Sequence, residues 1–177
     1  MYNRYRKKVE RMKSNYIVRA IKFLNKITPY LNKYNSVYTA VAAFNYDNRR
    51  AVKVGKGAVR YALLTSDYVV KWDYDADNAC TFGGCKEEYE IWKEVKTTEF
   101  RDLFAEITPV NVCGKTYYIM PRIDKLAIKL KNDDIYEWLS AEANDYLWDE
   151  LCLHDLHNEN WGLLNGSPVI IDYACVG

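Results

Sequence analysis

Asp155, Asn160 and Asp172 carry the side-chain oxygens that metal-assisted chemistry needs. They stand in Leu153-His154-Asp155-Leu156-His157-Asn158-Glu159-Asn160-Trp161-Gly162 and, just behind it, Pro168-Val169-Ile170-Ile171-Asp172-Tyr173-Ala174. A short apolar strand from Trp161 to Leu164, an Asn165-Gly166 turn and a second strand from Val169 to Ile171 predict a hairpin. A hairpin of that register holds Asn160 and Asp172 near each other at its open end, with Asp155 on the loop leading in. Two carboxylates and an amide converging there suit magnesium, a hard cation that takes oxygen ligands, and leave one carboxylate to handle a proton. The structural alternative is a polar turn between a helix and a hairpin that simply contains Asp and Asn.

The stretch Asp155-Leu156-His157-Asn158-Glu159-Asn160 resembles the catalytic loop H-R-D-x-x-x-x-N of protein-kinase-like enzymes, and Asp172-Tyr173-Ala174 resembles their D-F-G. The resemblance implies Asp155 as catalytic base toward an acceptor hydroxyl, and Asn160 and Asp172 as magnesium ligands. His157, in the same catalytic loop, stands where protein kinases usually carry Lys or Arg. A His there is more typical of the aminoglycoside- and choline-kinase-like branch. Tyr173 and Ala174 depart from Phe and Gly.

Upstream elements must place a nucleotide against these residues. Ala51–Val54, Ala58–Leu64 and Tyr68–Tyr74 read as a three-stranded meander with turns at Gly55-Lys56-Gly57 and Thr65-Ser66-Asp67. Val54 to Ala62 resembles a kinase glycine-rich loop, which implies Gly55, Lys56 and Gly57 over the ATP phosphates, although Arg60 replaces the third glycine. A lone G-x-G between strands is ordinarily a hairpin turn. Lys71, in Tyr68-Val69-Val70-Lys71-Trp72, matches the strand lysine of V-A-I-K; its plain reading is an edge-strand gatekeeper. Gly83-Gly84 precede a helix predicted over Cys85–Val95, in which Glu88 shares a face with Ile91, Trp92 and Val95. A core-facing Glu requires a cation, and Lys71 is the natural candidate; in the family that pair holds the lysine against the α/β-phosphates. Glu90 is the fallback, on the wrong helical phase.

Leu103–Val110 and Lys115–Met120 read as two further strands joined around Cys113-Gly114, completing a five-stranded antiparallel sheet. Met120-Pro121-Arg122-Ile123 then looks like the kinase hinge, with backbone of Met120 and Arg122 meeting the adenine. Helices are expected over Asp133–Leu139 and Ala141–Leu153. The implied fold is α+β and bilobal: a kinase-like N-lobe over 47–120 and a truncated C-lobe over 121–177, preceded by a basic helical arm over 1–46.

That arm reads as a helix from Arg4 to Ile27, interrupted near Ser14-Asn15 or continuous, with Val9, Met12, Tyr16, Ala20, Leu24 and Ile27 at helical spacing. Thr28-Pro29 ends it or caps a second helix. Residues 30–44 suit a helix slightly better than a strand, and Tyr46-Asp47-Asn48-Arg49 reads as a turn and boundary. The net charge of +1 hides a polarity: residues 1–34 carry ten Lys/Arg against Glu10, and ten Asp/Glu lie between Asp133 and Asp172 with no Lys or Arg after Lys131. The arm either folds back on the acidic half, the favoured reading, or meets an anionic partner such as nucleic acid.

The 177 residues suffice for one domain or a compact pair of lobes. No apolar run spans a bilayer. Cys80, Cys85, Cys113, Cys152 and Cys175 form no C-x-x-C pair and read as reduced, mostly buried thiols of a cytoplasmic protein. Five residues follow Asp172, so the expectation is a C-lobe without activation segment, whose apolar floor is covered by the N-terminal helices or by a second copy of the chain. Minimal chains of this type resemble small proteins carried by phages. Two functions follow from the resemblance. One is an ATP-dependent phosphotransferase using ATP and Mg2+, acting on a protein substrate. The other is a catalytically weak or inactive pseudokinase that binds nucleotide or a protein target.

Overall fold

In a computed structural model describing residues 2–57, 59–74, 84–125, 139–154, 156–164 and 166–173, the backbone alone being described for 2–14, 124–125 and 158, the chain is mixed α+β and divides into two units. Unit 1 is Met1–Trp72 with Thr108–Arg122, and unit 2 is Asp73–Ile107 with Ile123–Gly177. The two are taken separately below.

Unit 1 begins with α1 (Tyr2–Lys33). Tyr16, Ala20, Leu24 and Ile27 are buried, as the helical spacing predicts. The helix has no break at Ser14-Asn15, and it does not stop at Thr28-Pro29 as expected: Pro29 lies inside it. A proline there removes one backbone bond and costs about 3 kcal/mol in isolation. Packing on both sides offsets this, since Ile27 is fully buried and the Tyr30 ring meets Phe44 edge-on at 5.4 Å. The hydroxyl of Thr28 donates to Leu24 O at 2.7 Å, which satisfies the buried polar group one residue before the proline.

Helix α2 (Val37–Asn48) resolves the ambiguous stretch as helix and absorbs the expected turn at Tyr46-Asp47-Asn48 into its last turn. The reversal comes at Arg49, whose φ of 50° caps the helix in the left-handed region. The Asn45 amide then clasps the next segment, donating to Val52 O at 2.8 Å and accepting from Val52 N at 3.1 Å. The expected boundary at 46/47 therefore falls inside a helix.

Five strands follow: β1 (Lys53–Lys56), β2 (Arg60–Leu64), β3 (Tyr68–Asp73), β4 (Thr108–Val112) and β5 (Lys115–Pro121), in the order β1-β2-β3-β5-β4. This is the five-stranded antiparallel sheet the sequence predicts. Cys113 and Gly114, both at positive φ (52° and 78°), form the tight β4–β5 turn. Pro109 sits on β4, an edge strand, where its missing N–H breaks no ladder. Val54, Leu63, Val70, Val112, Tyr117 and Ile119 share one core with Leu24, Ile27, Val41 and Phe44, so both helices cover one face of this sheet. The arm is thereby accounted for within unit 1: the apolar stripe of α1 packs on β4 and β5, and its described ion pair is Arg19–Asp67 at 2.6 Å. Of the acidic stretch Asp133–Glu150 that the arm was expected to meet, residues 133–138 lie outside the described residues.

Unit 2 contains α3 (Cys85–Val95), with the bounds its sequence predicts. A 3-10 helix over Glu99–Leu103 replaces the start of the expected strand at Leu103. Phe104 instead bridges in parallel to Ile170, and Ala105 N–H donates to Ile170 O at 2.9 Å. Phe104 and Ala105 thus attach to a second sheet, made of β6 (Asp124–Lys125), β7 (Trp161–Leu164) and β8 (Ser167–Ile170). Helix α4 (Ala141–Asp145) widens into a π-helical turn over Tyr146–Glu150, so the helix expected to reach Leu153 ends at Glu150. Stacking of Tyr146 on Phe100 at 4.5 Å and burial of Leu147 hold that turn. The helix expected at Asp133–Leu139 lies outside the described residues except for Leu139, which is a bend.

Among the described residues no helix is long and apolar enough to cross a membrane. Of the cysteines expected to be mostly buried, Cys85 is buried, Cys113 and Cys152 are exposed, and Cys80 and Cys175 lie outside the described residues.

Candidate functional site

The hairpin mouth is where the oxygen ligands were expected. Trp161 pairs with Ile170 and Leu164 with Ser167, and Gly166 takes φ 85° in the tight turn that Asn-Gly encodes. Beyond the last pair, Asn160 O accepts from Ile171 N at 2.7 Å and from Asp172 N at 3.3 Å. One carbonyl therefore ties Asn160 to Asp172, and both side chains are half-buried. Asp155 lies outside the described residues. His157 is half-buried: its carbonyl accepts from Asn160 N at 2.9 Å and its Nδ1 from Glu159 N at 3.3 Å. The loop is thus a one-turn 3-10 helix, Asn158–Asn160, that starts from His157 and delivers Asn160 to the hairpin.

Tyr173 fixes Asp172 from the other side. It is 1% exposed, its hydroxyl donates to Ala105 O at 2.8 Å and its ring meets Phe104 edge-on at 5.2 Å. Its N–H donates at 3.3 Å to Glu88 Oε1. The segment 103–107 that leaves the expected sheet is what bolts this tyrosine down.

Glu88 is 0% exposed on α3, on the face the helical phase predicts. Its neighbour Glu90 faces outward in an ion pair with Lys93. The helix is capped from a distance: Gly84 supplies no side chain, and Asp73 Oδ1 accepts from Cys85 N at 2.9 Å. A Cβ on Gly84 would come within 3.3 Å of the Asp73 carboxylate. Sequence reasoning missed Asp73 and Tyr173 as positioning residues. A Gly-Gly entry with no local N-cap residue hints at a distant cap, but only the fold says which residue supplies it.

In unit 1 the expected nucleotide-binding residues distribute by strand alternation. Val70 and Ile119 face the helix-covered core; Lys71 and Met120, one residue on in each strand, lie on the opposite face. Gly55, paired with Ala62, shares that face, while Lys56, one residue on, does not. Lys71 is 7% exposed. Gly57 N donates to Arg60 O at 3.0 Å after β1; of the expected turn Gly55-Lys56-Gly57, Gly55 and Lys56 lie inside the strand. A Cβ at Gly55 would meet Leu64 Cδ1 at 3.4 Å and one at Gly57 would meet nothing nearer than 3.8 Å, so the fold itself does not demand glycine at either position. Glycines inside a strand weaken it and often mark close approach of a ligand. Arg122, at the expected hinge, is the last residue of unit 1, and its N–H donates to Asp67 O at 2.9 Å.

Among the described residues no group of three or more His, Cys, Asp or Glu gathers as a metal cluster. Comparison with known protein families, with curated proteins and with solved structures finds no match to this chain.

Proposed function

We propose that this chain is an ATP-dependent, kinase-like phosphotransferase that passes the γ-phosphate of MgATP to a hydroxyl, with a protein as the acceptor and the cytoplasm as its place of work. The observation that carries the reading is the linked set in unit 2: Glu88 holds Tyr173 N–H, and Asn160 O holds Asp172 N–H. The two residues expected as magnesium ligands are thus tied to each other and braced from a buried helix.

The donor set fits the ion. An amide oxygen and a carboxylate are hard ligands, and two protein ligands with the remainder from phosphate and water suit magnesium. Magnesium held there would neutralise charge on the transferring phosphoryl group. In this reading Lys71 serves the phosphates, and Gly55 lies on the same face of its sheet with β2 between them. Asp155 acts as base toward the acceptor hydroxyl, with His157 in the same loop. Catalysis in this reading comes from positioning and charge neutralisation.

The test is incubation with labelled MgATP, comparing wild type with Asp155→Ala and Asp172→Ala. Label moves to the protein itself or to a lysate protein, and the transfer disappears in both variants. Transfer that survives in both refutes the reading. A second reading, a pseudokinase acting as a nucleotide- or protein-binding regulator, draws on Arg122: its N–H, part of the expected adenine hinge, is engaged by Asp67. Nucleotide-induced thermal stabilisation without transfer would select it.

A further inference from the structure

Regrouping the chain into its two units sharpens its charge asymmetry. Unit 1 holds eighteen Lys/Arg against Glu10, Asp47 and Asp67, a net of +15, and unit 2 holds seven against twenty-one Asp/Glu, a net of −14. The overall +1 is therefore the sum of two strongly polar bodies. We propose that the solvent face of the two helices of unit 1 is a nucleic-acid docking surface that grips the phosphate backbone without reading sequence.

The surface is built by the way the helices pack. Helix α1 turns Tyr16, Ala20, Leu24 and Ile27 into the core, which leaves Lys22 and Lys26 exposed on its other side. Helix α2 buries Val41 and Phe44 and exposes Tyr38 (51%) and Tyr46 (88%). Arg49 and Arg50 are exposed where α2 ends. Among the described residues none of Lys22, Lys26, Arg49 or Arg50 has a carboxylate within ion-pair distance. Of the described acids of unit 1, Asp67 pairs with Arg19, and Asp47 accepts from the Tyr30 hydroxyl and lies within ion-pair distance of none of these cations. The backbone of α1 continues N-terminally through Arg4, Arg6, Lys7, Lys8, Arg11 and Lys13, so the helix is about 48 Å long at 1.5 Å per residue.

The chemistry selects among anionic partners. A membrane-surface helix needs an apolar face free to enter the lipid, and the apolar stripe of α1 is occupied by the sheet. Protein interfaces are depleted in lysine, whereas phosphate contacts favour it. Exposed tyrosines beside a basic track are the stacking platforms that single strands use.

The proposal is independent of the phosphotransferase reading, and its assay contains no nucleotide. The full chain is titrated into labelled single-stranded and duplex 20-mers between 50 and 200 mM salt, with fluorescence anisotropy as readout. Neutralising four phosphates predicts a roughly 50- to 150-fold loss of affinity across that range. Lys22→Glu/Lys26→Glu reduces the salt slope by about 2, and Tyr46→Ala weakens single strands roughly tenfold. Both variants alter exposed positions, and circular dichroism verifies the fold. No binding at 50 mM salt, or unchanged single-strand affinity in both variants with the fold intact, overturns the proposal. So does equal binding to phosphatidylserine vesicles, which reassigns the surface to membranes. Salt-sensitive self-association that excludes the 20-mers would assign the basic face to the acidic unit of another copy and overturn it as well.

Discussion

Removing one oxygen atom, in Tyr173→Phe, tests the brace behind the expected metal ligands. The hydroxyl donates to Ala105 O at 2.8 Å in a fully buried setting, and the change leaves that carbonyl without this donor. Leaving a buried acceptor unsatisfied costs about 1–3 kcal/mol. The ring keeps its edge-on contact with Phe104 at 5.2 Å and the backbone keeps its bond to Glu88, so no cavity penalty is added. Taking about 2 kcal/mol and the usual entropy of unfolding for a chain of this size, the melting temperature falls by roughly 4–8 °C. If Asp172 holds magnesium, loosening its neighbour also lowers kcat about tenfold with KM little changed, since small misplacements at a reacting centre are costly. Differential scanning calorimetry and single-turnover label transfer measure the two effects. A melting temperature within about 1 °C of wild type would refute the brace, and a lowered melting temperature with kcat preserved would separate Tyr173 from the chemistry.

Other perturbations test the same logic elsewhere. Asp73→Ala removes the distant cap of α3 and costs about 1 kcal/mol, with Asp73→Asn recovering most of it; equal denaturation midpoints for wild type and Asp73→Ala would contradict the capping role. Burial pushes the phenols of Tyr68 and Tyr117 above the ordinary value, so their contribution to stability is complete below about pH 10 and is lost as pH rises through the folded values. Tyr117→Phe therefore flattens the alkaline loss of stability in urea titrations above about pH 10, and an unchanged pH profile would count against it. Glu142 at the start of α4 has its carboxyl lowered by its own backbone N–H and by the Ser140 hydroxyl, so its contribution is present above the ordinary carboxylate range and fades as pH falls through the lowered value. Ser140→Ala removes both that bond and the N-cap to Ala143 N at 3.2 Å, and NMR titration of Glu142 should move back toward the ordinary value.

Local signals were readable from sequence wherever one short window decides the outcome. The stripe Glu88-Ile91-Trp92-Val95 set the bounds and the buried face of α3, and Asn165-Gly166 set the β7–β8 hairpin, because helix period and turn chemistry act over a few residues. Pro29 misled because its cost is local while the packing that offsets it comes from Phe44, in another helix. The run 103–107 has the composition of a strand in the five-stranded sheet, yet its partner is Ile170, distant in sequence. The π-helical turn at Tyr146–Glu150 has no sequence signature apart from the aromatic that stacks on Phe100.

Composition and periodicity by themselves determined helix α3, the strands of the antiparallel sheet, the inward phase of Glu88 and the neighbourhood of Asn160 and Asp172. Only the tertiary structure decided that Asp73 caps α3, that Ala105 and Glu88 grip Tyr173, and that Thr108–Arg122 joins the N-terminal helices in one strongly basic unit. The reason is the range of the forces: propensity and alternation act between neighbours along the chain, whereas caps, buried hydrogen bonds and the sharing of a core depend on which distant segments find a matching apolar face.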